Sequence, residues 1–181
     1  VQWLRDRMKF FKKAPETEKI IKSLKSNSDV YLVPAFTGLG APYWDSNSRG
    51  VLSGLTRDTG PKEIIRATVE SVAYQTYDLF EAMKHDGLRP RLVKVDGGMV
   101  MNNWFSQFLS DVVDVGVLRP KVQETTALGA AFMAGLQIGD YKSLNDISKN
   151  WALDKKFTPK IKKKNRTKLI KGWSKAIERT L

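Results

Sequence analysis

Residues 95 to 104 read VDGGMVMNNW: an apolar run ends at Asp96, turns on Gly97 and Gly98, and restarts with helical spacing. Glycine has no Cβ, so an anionic ligand can approach its backbone closely, and the first N–H groups of a following helix point at whatever sits there. Asn102, one turn further on, adds a donor and an acceptor that suit a purine edge or a ribose hydroxyl. The same two glycines also serve a plain turn. The stretch is neither a P-loop, G-x-x-x-x-G-K-[ST], nor the dinucleotide fingerprint G-x-G-x-x-G, so both readings stand.

Other residues offer less. TGLGAPYWD (37 to 45) is a stiff, aromatic-bearing loop that could cover a site or simply pack on the surface. Asp45, Glu70 and Asp96 are the carboxylates available for acid–base work, but no two fall at a spacing that forces a dyad; Asp96 reads best as a brace for its turn. His85 is the single histidine, at an expected helix end, where a capping role fits. With one His and no Cys, a Ser-His or Cys-His nucleophile or a dedicated zinc site is disfavoured.

The elements that must position these residues follow from periodicity. Val1, Leu4, Met8 and Phe11 share one helical stripe, and Ile20, Ile21 and Leu24 suggest a second short helix. VYLVPAF (30 to 36) is a strand that Pro34 confines to an edge or ends, residues 37 to 50 are loop, and VLSGLT (51 to 56) is a short strand. A long helix begins at Gly60 or Pro61, with Glu63 suiting its positive end, and stops at His85-Asp86-Gly87. Then come a strand at 91 to 95, a helix at 101 to 114, a strand at 115 to 120, and a helix rich in small residues at 125 to 139. This alternation means an α/β fold with parallel neighbours joined by crossover helices.

The 181 residues fit one domain, of ordinary composition, with 41% apolar and 28% charged residues. No run of about 18 apolar residues would span a membrane. The absence of cysteine fits a reducing cytosol, so a cytoplasmic location is expected. A net charge of +12 invites a nucleic-acid reading, but its distribution argues otherwise. From Lys155 to Leu181 there are eleven Lys or Arg against the single acid Glu178, while the other 154 residues carry 20 basic and 18 acidic groups. The basic tail has apolar residues at three-to-four spacing, which predicts an amphipathic helix over about 160 to 181 with its lysines in water.

Four stretches together resemble one family: VYLVPAFTGLGAPYWD (30 to 45), GVLSGLTRDTGPKEIIRATVESVAYQT (50 to 76), VDGGMVMNNWFSQFLSD (95 to 111) and ETTALGAAFMAG (124 to 135). They are similar to the carboxy-terminal half of the FGGY carbohydrate kinases. Residues Gly50 to Glu70 fit that family's signature through Leu52, Gly54-Leu55, Glu63-Ile64 and Ala67-Thr68-Val69-Glu70, and the loop FTGLGAPYWD leans toward the glycerol kinases within it. The resemblance implies an actin-like ATPase (ribonuclease H-like) domain spanning 1 to 181, a mixed sheet flanked by helices, holding ATP or ADP against a second domain. Gln2, Gly98 and Asn102 match family positions that bind the adenine nucleotide, and Gly97 shapes the same turn. The implied reaction moves the ATP γ-phosphoryl group to glycerol, giving glycerol 3-phosphate, with Mg²⁺ offsetting charge. In the family the catalytic base, the glycerol ligands, most metal contacts and the first strands of the sheet precede the position matching Val1. The expectation is therefore a chain inactive by itself, with an exposed sheet edge that favours homo-oligomers. The rival expectation is a non-catalytic or nucleic-acid-binding module using the basic tail.

Overall fold

The computed structural model describes residues 1–26 and 28–181. Its elements in order are α1 (Gln2–Asp6), α2 (Glu16–Lys22), β1 (Tyr31–Val33), β2 (Val51–Ser53), α3 (Pro61–His85), β3 (Leu92–Lys94), a 3₁₀ turn (Gly98–Met101), α4 (Asn103–Val113), β4 (Gly116–Pro120), α5 (Thr125–Ile138), α6 (Leu144–Ser148), β5 (Leu153–Phe157) and α7 (Lys163–Glu178).

Local chemistry sets most of these boundaries. Pro61 opens α3, and the Glu63 carboxylate accepts the Gly60 amide at 2.9 Å, so the helix end is closed by its own first turn. At the other end Gly87 takes φ +84, and the Leu88 amide returns to the Met83 carbonyl at 2.8 Å. β1 stops immediately before Pro34, which cannot donate to a ladder. Helix α1 is shorter than its apolar stripe suggests. Lys9 sits at φ +57 and breaks the run, so Leu4 and Phe11 are still buried but Met8 points outward.

The core is built on α3, whose Ile65, Val69, Ala73 and Phe80 are buried along one face. Against it lie α4, β1 and α2, and α7 reaches it through Trp173. Trp173 of α7 is fully buried, stacks on Tyr74 at 5.3 Å, and donates its indole N–H to Asp78 at 2.7 Å. The Tyr43 hydroxyl donates to the same carboxylate, so one acid on α3 pins both the loop at 37–50 and α7. Truncating a buried Trp of this kind costs about 3–5 kcal/mol.

Strands β1 and β2 form an antiparallel pair, and β3, β4 and β5 a mixed sheet in that order. The parallel pairing of β3 with β4 across α4 is the crossover unit that the alternation predicts. The antiparallel pairing of β4 with β5 is not foreseen by it. LDKKF carries two lysines and an aspartate and gives little strand signal, but its ladder to β4 holds it, with Phe157 turned into the core. Helix α5 forms where expected, yet of its small residues only Gly135, which lies against the Tyr141 ring, is buried, and Met133 and Ile138 lie open. Among the described residues β3 is a sheet edge, with Leu92 exposed. Among them also, no helix is long and apolar enough to cross a membrane.

Candidate functional site

The glycine turn is set by two neighbours. Gly97 takes φ +82 and ψ 171, a conformation L residues rarely adopt, and its amide donates to the Gln123 carbonyl at 3.3 Å. Asp96 accepts the hydroxyl of Thr125 at the start of α5, which supports its reading as a brace. The chain then makes one 3₁₀ turn before α4 begins, with Asn102 as its N-cap. From behind, the buried Arg119 of β4 donates to the carbonyls of Val100 at 2.8 Å and Met101 at 3.3 Å, while its Nε pairs with Asp154 of β5 at 2.6 Å.

In front of this turn is a cavity of about 390 Å³. Gln2 and Arg5 of α1 form one wall, Pro15, Thr17 and Glu18 at the start of α2 a second, and Gly98, Met99, Met101 and Asn102 a third, with Val69 of α3 also on the lining. Gln2, Gly98 and Asn102, spread over a hundred residues of chain, thus meet on one cavity. Gly97 does not line it and serves as the bend behind Gly98. A Cβ built on Gly98 would meet nothing within 4 Å, so the backbone there is open to a ligand.

The structure changes one expectation about the mouth of α4. Its first amides do not stand free for an anion. Asn102 Oδ1 accepts from Phe105 at 2.9 Å, and the carboxylate of Glu18 accepts from Asn103 at 3.2 Å and also from Trp104. Burial pushes the Glu18 carboxyl up, but Lys22 at 2.5 Å and these two amides outweigh it and hold it below the usual range. The Asn102 amide nitrogen meets the Thr17 hydroxyl at 3.4 Å, and Thr17 in turn donates to Ala14 at 2.7 Å. The first amides of α4 are therefore already bonded within the protein. Thr17, Glu18 and Arg5 were not candidates on sequence grounds, because only the tertiary approach of α1 and α2 to the turn before α4 brings them to the cavity.

The remaining candidates are elsewhere. Glu70 is fully buried and paired with Arg66 at 2.7 Å, with the Tyr74 hydroxyl donating to it at 3.2 Å, so it is part of the core. Asp45 accepts from Ser48 Oγ at 2.6 Å and from the Asn47 amide at 2.8 Å, closing its own loop. His85 ends α3. The cavity, at about 390 Å³, falls within the range of small-molecule pockets, about 300–1,000 Å³. A metal is less well served: among the described residues no group of three or more acids or histidines could hold one.

Comparison with known proteins identifies the family of the chain. The FGGY family of carbohydrate kinases, C-terminal domain, matches residues 1–138. "Glycerol kinase 1" of Pseudomonas aeruginosa is 53% identical over 99% of the chain, and a glycerol kinase of Clostridium botulinum is 52% identical over all of it. The chain spans 36% of the length of each. A crystal structure of Plasmodium falciparum glycerol kinase with ADP superposes at a TM-score of 0.88 with 35% identity, over the whole chain and 36% of its partner. A ligand-bound xylulose kinase from Lactobacillus acidophilus, at 24% identity, TM-score 0.77, 98% of this chain and 36% of that one, shares the fold. The actin-like α/β class expected from sequence holds. The nucleic-acid module does not gain support, because these kinase relatives cover the basic tail as well.

Proposed function

The chain belongs to the FGGY family of carbohydrate kinases, as their carboxy-terminal part, and from that premise we propose that it is the nucleotide-holding side of a glycerol kinase. The observation that carries the reading is the meeting of Gln2, Gly98 and Asn102 on one cavity. In this reading the amides of Gln2 and Asn102 hydrogen-bond the adenosine end of ATP or ADP. Gly98 lets the nucleotide lie against the backbone of the turn, and Arg5 supplies a positive charge on the same lining. The relative solved with ADP supports the choice of nucleotide.

Phosphoryl transfer to glycerol belongs to the same proposal, and it needs a base and glycerol ligands. The one carboxylate on the cavity, Glu18, is occupied by Lys22 and two α4 amides, so it is not free to take a proton. In this reading the base and the acceptor site lie on parts of the kinase outside this chain. Mg²⁺ offsets phosphate charge in such reactions; among the described residues no group of three or more acids or histidines forms a cage for it. A cytoplasmic location is part of the proposal, consistent with a cysteine-free chain. So is self-association, supported by the open apolar surface of Met133 and Ile138 on α5 and the free edge of β3.

The test is calorimetric titration of the 181-residue chain with ADP, alongside an assay with ATP and glycerol. Binding without turnover is expected. ADP binding unchanged in Gln2→Ala, Gly98→Val and Asn102→Asp alike would remove the nucleotide assignment.

A further inference from the structure

A second hollow, of about 460 Å³, shares no lining residue with the first and is bounded by α7, β1 and the end of β2. Two close backbone approaches shape it. Gly54, at φ +82, lies so near Asp29 that a Cβ would fall 2.0 Å from its carbonyl oxygen, and a Cβ on Gly172 would fall 2.2 Å from the Tyr31 phenol oxygen. Neither site tolerates a side chain without movement, so the concavity is built into the backbone packing of α7 on the strand pair.

Its lining is strongly basic. Lys168, Lys171, Lys175 and Arg179 face it at three-to-four spacing along α7 and its C-terminal continuation, with Asp29 as the single acid. Asp29 pairs with Lys168 at 3.1 Å. Arg166, on another side of the helix, is taken by Asp114. Among the described residues, Lys171, Lys175 and Arg179 have no ion-pair partner. The helix C-terminus favours cations near its last turn, which accounts for where Lys175 and Arg179 fall in sequence but not for their sharing one hollow with Lys171. Like charges at i and i+4 repel, and an anion between them relieves that repulsion.

We propose that this hollow is a binding site for a small soluble anion carrying two or more phosphate groups, separate from the nucleotide cavity. Several cations spaced one helical turn apart around a ligand-sized concavity suit clustered phosphates better than a single carboxylate. Such a site puts a phosphorylated metabolite in contact with α7, and so with Trp173 and α3.

Titration of the chain with inorganic tripolyphosphate at low salt tests it, with circular dichroism verifying that each variant is folded. Binding is expected to weaken at least tenfold in K171A/K175A, to weaken steeply with added salt, and to be unchanged in Asn102→Asp. No binding, or binding indifferent to K171A/K175A, overturns the proposal. Loss through Asn102→Asp would place tripolyphosphate in the nucleotide cavity instead, and much tighter binding of duplex DNA than of tripolyphosphate would make the face a nucleic-acid surface; either result also overturns it.

Discussion

The side-chain oxygen of Asn102 accepts the Phe105 amide at 2.9 Å, so the residue proposed to hold the nucleotide is also the N-cap of α4. Replacing it tests two roles at once unless the variants are chosen to separate them. Asn102→Ala should cost about 1 kcal/mol of stability through the lost cap and weaken ADP as well. Asn102→Asp keeps a capping oxygen, so its melting temperature should stay near that of the parent. Its carboxylate replaces the amide donor, and ADP affinity measured by calorimetry should fall about tenfold or more, near 1.4 kcal/mol.

The two glycines should behave differently. A Cβ at Gly98 has open space around it, so Gly98→Ala should fold normally and lose ADP affinity by obstructing the ligand. Gly97, at φ +82 and ψ 171, should instead lose about 1–3 kcal/mol of stability as alanine, because a side chain strains that backbone region. Thermal melts beside ADP titrations separate the two outcomes. Equal stability loss at both positions would contradict the geometry.

Glu18 makes an acid-dependent contribution. Its carboxyl is held below the ordinary value of 4.5 in the folded chain, so its stabilisation is present above that pH and lost as pH falls through the folded value. Denaturant unfolding of the parent and of Glu18→Gln should therefore differ above pH 4.5 and converge below it. Parallel curves across the whole range would show that the α2–α4 contact does not depend on the charge.

Asp78 should do the opposite. Burial raises its carboxyl above 3.8, although Trp173 and Tyr43 donate to it and pull it partly back. A raised acid contributes stability that is full below 3.8 and lost as pH rises through the folded value. Relative to Asp78→Asn, the parent should gain stability as pH is lowered from 7 toward 4. The same unfolding series reads both effects, with opposite signs for Glu18 and Asp78.

Much of this was legible from spacing alone. The α3 stripe, Pro61 and Gly87 carry that helix almost to the residue, because propensity, capping and burial agree there. The cavity was legible only in part. Gln2, Gly98 and Asn102 matched a family pattern, but nothing local in the chain shows that Glu18 closes the α4 amides across 85 positions. β5 was missed for a related reason: Lys155 and Lys156 give no alternation of apolar and polar residues, and only pairing to β4 makes the segment a strand. The small residues of α5 show the converse: the sequence suits close packing, yet among the described residues of that helix only Gly135 is buried.

Arg119 has an electrical consequence as well as a mechanical one. Its charge rests on the Val100 carbonyl, whose peptide carries the Met101 N–H, and in the 3₁₀ pattern that N–H donates to Gly98. The Gly98 carbonyl shares its peptide with the Met99 N–H, and Met99 lies on the cavity lining. Each link polarises the next. A guanidinium buried behind the turn and balanced by Asp154 thus polarises the backbone of a residue on the cavity lining without itself entering the cavity.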